Sequence, residues 1–323
     1  MSRSFSSRLP LSRSEIDRDH LGRAGGVEAL LSDPATRAVA LHDGKALLSG
    51  PAALAVLPAA SVPHVDALYL GRAISDSPDL PAGSPVVALL LDADQAQQIT
   101  QDRPKADGNK HWGDLRRLGH RLGERDAGLF TQALALANWH IAYGFSPRTG
   151  EATRIGAAGW TRVHADGREL FPRTDAAVIV GITDADDRLL LGSNALWEAN
   201  RFSLLAGFVE PGESLEAAVI REVHEESGLR VADPVYLGSQ PWPFPASLMV
   251  GFRAQVPEGE STVPTPDGDE ILELRWFTRD ELRDAAAARE IILPGPTSIA
   301  RAIVEDWYGD VLDDGSRADG SRA

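Results

Sequence analysis

The sequence contains no cysteine among its 323 residues, which excludes disulfide bonds, thiolate metal ligands and a thiol nucleophile. Long apolar runs are also missing. No stretch approaches the roughly 20 residues that a membrane helix needs, so we expect no membrane partner. Basic residues are scarce, with 32 Lys and Arg against 47 Asp and Glu, and the net charge is −15. Such a charge disfavours general binding to nucleic acids or anionic membranes, although it permits a substrate phosphate bound through metal ions.

The order of apolar and polar segments indicates two domains of ordinary globular composition, with 43% hydrophobic residues. We predict an α+β domain over 1–136, without a catalytic signature, and a short ribbon-like β connector over 137–173. An α/β domain follows over 174–309, and a disordered polar tail closes the chain over 310–323. The Arg- and Ser-rich start has no apolar core, so we expect a flexible start of a cytoplasmic protein, with a transit peptide as the alternative.

One stretch, running from Gly207 to Leu229, places three carboxylates on one side of a helix. It reads GFVEPGESLEAAVIREVHEESGL. At about 100° per residue, Glu222, Glu225 and Glu226 fall within an arc of about 100°. Like charges this close repel each other, and a divalent cation that prefers hard oxygen ligands, Mg²⁺ or Mn²⁺, would remove the repulsion. A solvated acidic face is the alternative explanation.

The remainder of this helix is consistent with a site on one side and a core on the other. Ser214 can cap its start and Gly228 can end it. Ala218 is a small residue among the carboxylates and leaves room for an approaching group. The pattern also predicts an apolar stripe that faces the core, formed by Val219, Ile220 and Val223.

At every fixed position this stretch resembles the Nudix box, GX5EX7REUXEEXGU, where U is aliphatic. The resemblance implies a Nudix hydrolase, an α/β/α sandwich that uses divalent metals to cleave a nucleoside diphosphate linked to another group. It implies metal ligands at Glu222, Glu225 and Glu226, and an Arg221 that orients a box carboxylate, with Glu213 near the metal. One of the three glutamates would act as a base on water. The sequence leaves all three open, and we choose Glu225.

A second motif follows ten residues later. Its prolines argue against a helix interior or a central strand, and it reads SQPWPFPAS from Ser239 to Ser247. It is similar to the motif of the NADH pyrophosphatase (NudC-type) branch of the Nudix family. The resemblance implies hydrolysis of NAD(H) to NMN(H) and AMP, and the branch includes enzymes that remove NAD caps from RNA. Hydrolysis of ADP-ribose-like dinucleotides and a non-catalytic nucleotide-sensing module are the other functions that we consider.

The same resemblance implies a set of substrate-binding residues. Phe171 and Phe208 stand where aromatic rings meet the nicotinamide or base, and packing in the core is the alternative for both. Ala300 stands where a backbone contact to the substrate is expected. Glu270 falls on a further metal-ligand position, with Glu273 as the rival. The motif itself contributes Gln240, Pro241, Trp242, Pro243, Phe244, Pro245, Ala246 and Ser247.

The sequence departs from this branch in one respect. Many members hold a zinc ribbon with four cysteines before the Nudix domain, but Tyr143 and Ser146 occupy the first pair here. The second pair is missing near Val163 and Asp166. We therefore expect no structural zinc, and a connector held by hairpin hydrogen bonds and aromatic packing. The aromatic residues are Tyr143, Phe145 and Trp160. In the family this region helps to form a homodimer, which we also expect here.

Overall fold

The computed structural model describes residues 4–61, 65–101, 103–106 and 111–314. No helix within these ranges is both long and apolar enough to cross a bilayer. Contacts within the chain separate two compact units. The N-terminal unit comprises Arg13–Thr174 and Trp242–Ala246, and the C-terminal unit comprises Met1–Ser12, Asp175–Pro241 and Ser247–Ala323. The Pro-rich motif is therefore divided between the units.

The N-terminal unit is built on an eight-stranded sheet. Its strands are β1 Ile16–Asp17, β2 Arg37–His42, β3 Lys45–Gly50, β4 Ala53–Leu54, β5 Val56–Pro58, β6 Asp66–Ala73, β7 Pro85–Leu90 and β8 Trp112–Gly113. Their order is β1-β6-β7-β2-β3-β4, with β5 against β2 and β8 against β3. The helices are α1 Gly26–Ser32, α2 Ala93–Thr100, α3 Leu115–Leu118 and α4 Glu124–Ala142. The apolar helix α4 packs on β2 and β6, which places the core of the unit between helix and sheet.

The connector at the end of this unit is a three-stranded antiparallel sheet of β9 Arg154–Gly156, β10 Thr161–Val163 and β11 Glu169–Leu170. Hydrogen bonds hold it. Ser146 Oγ accepts two backbone N–H groups of the following turn, and the buried Arg162 donates to the Thr153 carbonyl at 2.9 Å. Trp160 packs as predicted and donates its indole N–H to a backbone carbonyl. The prediction for Phe145 is wrong, because its ring is 68% exposed.

The described part of the C-terminal unit contains a six-stranded sheet, three α-helices and two short 3-10 helices, Phe5–Arg8 and Pro10–Ser12. The strands are β12 Asp175–Thr183, β13 Leu189–Asn194, β14 Leu205–Phe208, β15 Ala232–Trp242, β16 Ser247–Gln255 and β17 Ile271–Phe277. The helices are α5 Leu215–Ser227, α6 Arg279–Ala287 and α7 Ile299–Tyr308. The strand order is β15-β16-β12-β13-β17, with β14 against β12.

Side chains of β12 alternate between two cores, which makes this unit the predicted α/β/α sandwich. Val178 and Val180 pack with residues of α5, whereas Ile179 packs with residues of α6 and α7 on the other face. Gly181 lets α7 approach closely, because a Cβ there would lie 2.9 Å from Ile303 Cγ2. The fold class predicted from the sequence is confirmed.

The two sheets share one topology, although the sequence shows no internal repeat. In each, a hairpin (β2-β3 or β12-β13) is followed by a strand antiparallel to its first member (β5 or β14). A later strand, β7 or β16, then pairs parallel with that first member. The difference lies between the third and fourth strands. The C-terminal unit places the 13-residue helix α5 there, whereas only residues 59–65 connect β5 to β6.

Both ends of the chain pack more closely than the sequence predicts. The prediction of a flexible start is wrong for residues 5–12. Leu9 and Leu11 are 0% and 2% exposed, and Leu9 packs in the core of the C-terminal unit. The predicted tail at 310–323 begins with ordered packing. Leu312 is buried, and Asp314 pairs with the buried Arg301 at 2.6 Å. Residues 315–323 lie outside the described part of the chain.

Candidate active site

Helix α5 forms as its sequence predicts. Ser214 Oγ accepts the Ala217 N–H at 3.2 Å, and Gly228 ends the helix with φ +67°. Val219 and Val223 are fully buried in the core. Two other residues, Ala218 and Ile220, depart from the expected pattern. Ala218 is buried rather than open, and Ile220 lies 43% exposed outside the predicted apolar stripe.

Arg221 gathers three box carboxylates around one guanidinium. Its Nε and Nη2 donate to both oxygens of Glu213 at 2.8 Å, and its Nη1 lies 2.9 Å from Glu222 and from Glu225. Nη2 also donates to the Phe208 carbonyl at 3.0 Å. The bidentate pair lowers the pKa of Glu213 to about 2. Arg221 therefore orients the start of α5 and the end of β14 relative to each other.

Glu226 is the buried member of the set. The residue is 5% exposed, and within the described ranges its Oε2 has no hydrogen-bond partner. Burial raises the pKa of Glu226 to about 8, and the charges of Glu222, Glu270 and Asp267 act in the same direction. A buried carboxylate oxygen without a partner is costly, so this position is suited to a cation.

Glu222 lies directly over the backbone of Gly207. A Cβ at Gly207 would fall 2.0 Å from the Glu222 carboxyl carbon, so only glycine permits this approach. Burial raises the pKa of Glu222. The ion pair with Arg221 acts in the opposite direction, and the charges of Glu225 and Glu270 raise the pKa further, so that it lies above its ordinary value overall. The requirement for glycine at the first position of the box is therefore steric, which the spacing of the motif alone does not reveal.

Glu270 comes from a loop just before β17 and joins the α5 carboxylates. Its Oε1 accepts from Asn194 Nδ2 at 3.2 Å, and its carbonyl accepts the Ala195 N–H at 2.8 Å. Asp267 Oδ1 accepts the N–H groups of residues 269, 270 and 271 at 2.8, 2.9 and 3.0 Å. Burial raises the pKa of Asp267, but these three bonds outweigh burial and lower it overall. Glu273, the rival for the metal-ligand position, pairs instead with Arg275.

Asn194 and Asp267 are residues that sequence reasoning missed. The segment Pro-Asp-Gly-Asp-Glu, over 266–270, has the composition of a turn in which an aspartate accepts backbone N–H groups downstream. That signal could have indicated Asp267. No local pattern indicates Asn194, because it ends a strand that pairs with β17 across the sheet.

The donor set is appropriate to a hard divalent cation. It comprises carboxylate oxygens of Glu222, Glu225, Glu226 and Glu270, and one of these oxygens, Glu226 Oε2, is buried without a hydrogen-bond partner among the described residues. Arg221 and Asn194 hold three of these carboxylates in hydrogen bonds or ion pairs. In the part of the chain that the structure describes, no three acidic or histidine side chains already converge as a ready-made metal site. A cation would therefore take over oxygens that now interact with Arg221 and Asn194.

The predicted substrate-binding residues divide between the units. Phe208, Gln240, Pro241, Ser247 and Ala300 belong to the C-terminal unit, while Phe171 and Trp242 to Ala246 belong to the N-terminal unit. Phe171 is 68% exposed and Phe208 is 59% exposed, so packing in the core is wrong for both rings. An exposed phenylalanine ring is available to stack on a planar ligand.

Two of these residues are buried and form hydrogen bonds within the protein. Gln240 is 0% exposed; its Oε1 accepts the Leu11 N–H at 3.1 Å and its Nε2 donates to the Thr297 carbonyl at 3.0 Å. Ala300 is buried, and its N–H donates to Ser298 Oγ at 3.1 Å as the first turn of α7 begins. The Gln240 side chain and the Ala300 N–H therefore already have partners within the protein, and the substrate contacts expected at these two residues stay predictions.

The Trp242–Ala246 segment is held within the N-terminal unit. The rings of Trp242 and Phe244 meet edge to face with centroids 4.9 Å apart. Asn138 Nδ2 donates to the Pro243 carbonyl at 2.9 Å. The guanidinium of Arg116 lies 4.2 Å from the Phe244 ring centroid and 5.6 Å from that of Trp242. The two aromatics thus have fixed neighbours.

Comparisons with known proteins show which families the sequence matches. The family described as "NUDIX domain" matches residues 172–294, and that described as "NADH pyrophosphatase-like rudimentary NUDIX domain" matches residues 35–139. The NAD-capped RNA hydrolase NudC of Mycobacterium tuberculosis strain H37Rv is 39% identical over 316 residues, which cover 95% of this chain and 94% of that protein. The NAD-capped RNA hydrolase NUDT12 of Homo sapiens is 36% identical over 200 residues, 58% of this chain and 43% of that protein.

A crystal structure of a Nudix hydrolase from Nitrosomonas europaea has a TM-score of 0.40 at 22% identity, covering 52% of this chain and 94% of its own. The assignment of the chain to a family rests on the sequence matches and not on this structural similarity. The chain belongs to the Nudix hydrolase family, enzymes that hydrolyse pyrophosphate bonds and generally use divalent metals. Within that family it belongs to the NADH pyrophosphatase, or NudC-type, branch. Among the residues that the structure describes, no α-helix stands between β5 and β6 of the N-terminal sheet where α5 stands in the C-terminal unit.

Proposed function

We propose that the protein hydrolyses the pyrophosphate of NAD(H) to NMN(H) and AMP. The observation that carries the proposal is the combination of a complete carboxylate box with the Pro-aromatic motif, in a chain 39% identical to a NudC-named relative over 94% of its length. The four carboxylates and the exposed Phe208, all in the C-terminal unit, supply the two kinds of group that a dinucleotide pyrophosphate requires. A nucleotide-sensing module without catalysis has no need of the full carboxylate set.

The residues of the chain have separable roles in this reaction. Glu222, Glu225, Glu226 and Glu270 would hold the divalent metal, for which we propose Mg²⁺ or Mn²⁺. A bound divalent cation supplies positive charge against the pyrophosphate and makes water a better nucleophile. Water oxygen forms a bond to one phosphorus while that phosphorus releases the bridging oxygen.

A carboxylate takes the proton that the attacking water loses. We retain Glu225 for this role, because its side chain is 57% exposed whereas that of Glu222 is 13% exposed and Glu226 is buried. An exposed carboxylate can meet a water molecule and return the proton to solvent. Arg221 is a positioning residue in this scheme, since its guanidinium contacts Glu222 and Glu225.

Removal of an NAD cap from RNA is the second candidate, because it uses the same bond and the same chemistry. The names of the relatives favour it, since both the mycobacterial and the human proteins are called NAD-capped RNA hydrolases. ADP-ribose-like dinucleotides would place the same pyrophosphate in the site but lack the nicotinamide on which an exposed ring such as Phe208 would stack. A homodimer and a cytoplasmic location remain proposals, which analytical ultracentrifugation and cell fractionation would test.

Product analysis with parallel substrates tests the proposed function. NADH, NAD⁺, ADP-ribose and NAD-capped RNA are incubated with Mg²⁺ or Mn²⁺, and AMP, NMN(H) and 5′-monophosphate RNA are separated chromatographically. We expect NAD(H) and capped RNA to be cleaved faster than ADP-ribose. A clear preference for ADP-ribose would contradict the role given to the Pro-aromatic motif.

Substitutions on α5 test the carboxylate roles. Glu225→Gln and Glu226→Gln should each abolish metal-dependent release of AMP from NADH while the circular dichroism spectrum stays that of the native protein. Glu216→Gln is the matched control, because Glu216 lies exposed in the first turn of the same helix. Full activity in both active-site variants would overturn the metal-site interpretation.

A further inference from the structure

Trp197 is the tryptophan of the C-terminal unit whose indole is not engaged within the described part of the chain. The other two tryptophans of this unit each donate the indole N–H to a backbone carbonyl, Trp276 to Thr262 at 2.8 Å and Trp307 to Asp187 at 3.1 Å. Trp197 is 40% exposed. Among the described residues its indole N–H forms no hydrogen bond, and its ring contacts neither another aromatic ring nor a cation. Such a ring is available to stack on a ligand.

The turn that carries Trp197 is hydrogen-bonded to the carboxylate site. Asn194 Nδ2 donates to Glu270 Oε1 at 3.2 Å, and the Ala195 N–H donates to the Glu270 carbonyl at 2.8 Å. Asn194 also shapes the turn, because its Oδ1 accepts the Leu196 N–H at 2.9 Å and its carbonyl accepts the Trp197 N–H at 3.1 Å. One asparagine therefore links the backbone of Trp197 to a candidate metal ligand.

The far end of the same loop is also held. The Phe202 N–H donates to the Ile292 carbonyl at 3.0 Å, and the Ile292 N–H donates to the Asn200 carbonyl at 2.7 Å. Hydrogen bonds thus fix both ends of the loop over 194–202. Because the backbone is already ordered, a ligand that binds Trp197 pays little further entropy for ordering the loop.

Phe208 and Trp197 adjoin different members of the carboxylate set in the same unit. Phe208 follows Gly207, over which the Glu222 carboxyl lies. Trp197 lies on the turn that is bonded to Glu270. NAD(H) has a matching order of groups, since its pyrophosphate joins two nucleosides and so carries one planar ring at each end. When the pyrophosphate lies at the carboxylates and the nicotinamide on Phe208, the adenine is the ring that remains for Trp197.

We propose that the indole of Trp197 stacks on the adenine of the substrate and so gives the enzyme a preference for a purine at that end of the dinucleotide. The inference rests on the proposed function, because it takes the carboxylate set as the place where the pyrophosphate binds. Stacking accepts any planar base, but a purine covers more of the indole than a pyrimidine does. Trp197 sets specificity in this scheme and takes no part in bond cleavage.

Kinetics on two dinucleotides test the inference. kcat and KM are measured for NAD⁺ and for nicotinamide cytosine dinucleotide, which keeps the nicotinamide and the pyrophosphate but carries a pyrimidine in place of adenine. For Trp197→Ala we expect KM to rise about tenfold on NAD⁺, the size of one base–aromatic stack, and less than about threefold on the cytosine analogue. kcat on NAD⁺ should stay within about twofold, because the stack stabilises the bound substrate and the transition state alike. Trp197→Phe keeps an aromatic face and should restore most of the affinity.

Leu196→Ala is the matched control. The Leu196 side chain is 93% exposed on the same turn, so its removal should leave kcat and KM unchanged on both dinucleotides. A fall in kcat together with weaker Mn²⁺ binding in Trp197→Ala would overturn the inference, since Trp197 would then only support the turn that holds Glu270. An equal rise of KM on both dinucleotides, or an unchanged KM on NAD⁺, would overturn it as well. A wild-type protein that cleaves neither dinucleotide would instead refute the proposed function, and this inference with it.

Discussion

Replacing Glu226 by glutamine should stabilise the metal-free protein at neutral pH. Burial and three neighbouring carboxylates raise the pKa of Glu226 to about 8, from 4.5 for an unperturbed glutamate. Below pH 4.5 the folded and unfolded states both hold the proton, so the substitution changes little. Between pH 4.5 and 8 the unfolded chain has released the proton and the folded protein has not. Stability of the wild-type protein therefore falls as pH rises through this window, and the loss is complete above the folded pKa.

The size of the effect follows from the window. Each pH unit between the two pKa values costs about 1.4 kcal/mol. A pH of 7 lies 2.5 units above 4.5, the pKa of Glu226 in the unfolded chain. At this pH the free energy of unfolding of the wild type is therefore about 3 kcal/mol lower than it would be with a neutral side chain at position 226. Glutamine keeps the shape of the side chain and removes its charge. The metal-free Glu226→Gln variant should thus unfold at a higher urea concentration than the wild type at pH 7, and at nearly the same concentration at pH 4.5.

Urea unfolding in EDTA, repeated at intervals from pH 4.5 to 8, measures this difference. If urea produces two transitions, the transition of the C-terminal unit is the relevant one, because Glu226 lies in that unit. Adding Mg²⁺ should reverse the order, because the wild type binds the cation through Glu226 and the variant lacks that ligand. Glu225→Gln is the control, since a mostly exposed side chain should change stability by no more than about 0.5 kcal/mol. Parallel pH profiles for wild type and Glu226→Gln would refute the reasoning.

Three further substitutions test other contacts. Gly207→Ala places a methyl group against the Glu222 carboxyl and should lower kcat at least about a hundredfold, as measured by AMP release, with normal circular dichroism. Asp267→Ala removes the acceptor that holds the Glu270 loop and should weaken Mn²⁺ binding in calorimetry about tenfold. Asp267→Asn keeps an acceptor oxygen and should weaken Mn²⁺ binding less. Equal Mn²⁺ affinities of the two variants would contradict this role of Asp267. Gln240→Ala removes two buried hydrogen bonds, one to the Leu11 N–H and one to the Thr297 carbonyl, and should destabilise the protein by about 2 kcal/mol in urea. No change in the urea midpoint would refute the internal role.

Helix α5 was predictable because its determinants are local. A cap at Ser214, a left-handed glycine at its end and carboxylates three and four residues apart are set by helix geometry alone. Ile220 was misplaced because the apolar stripe was drawn too wide for a helix that covers a sheet on one side only. The shared topology of the two units escaped sequence reasoning because strand order depends on pairing and leaves no periodic signal.

The sequence by itself determined the family, the reaction chemistry and most of the carboxylate set, because these depend on residue types at fixed spacing along one segment. It also excluded thiol chemistry through the absence of cysteine. Only the tertiary structure decided three contacts. The Gln240 side chain accepts the Leu11 N–H, Asn194 donates to the Glu270 carboxylate, and the Arg116 guanidinium lies over the Phe244 ring. Each of these contacts joins residues far apart in the chain. Such pairs are brought together by strand order and packing, which no local pattern of polar and apolar residues specifies.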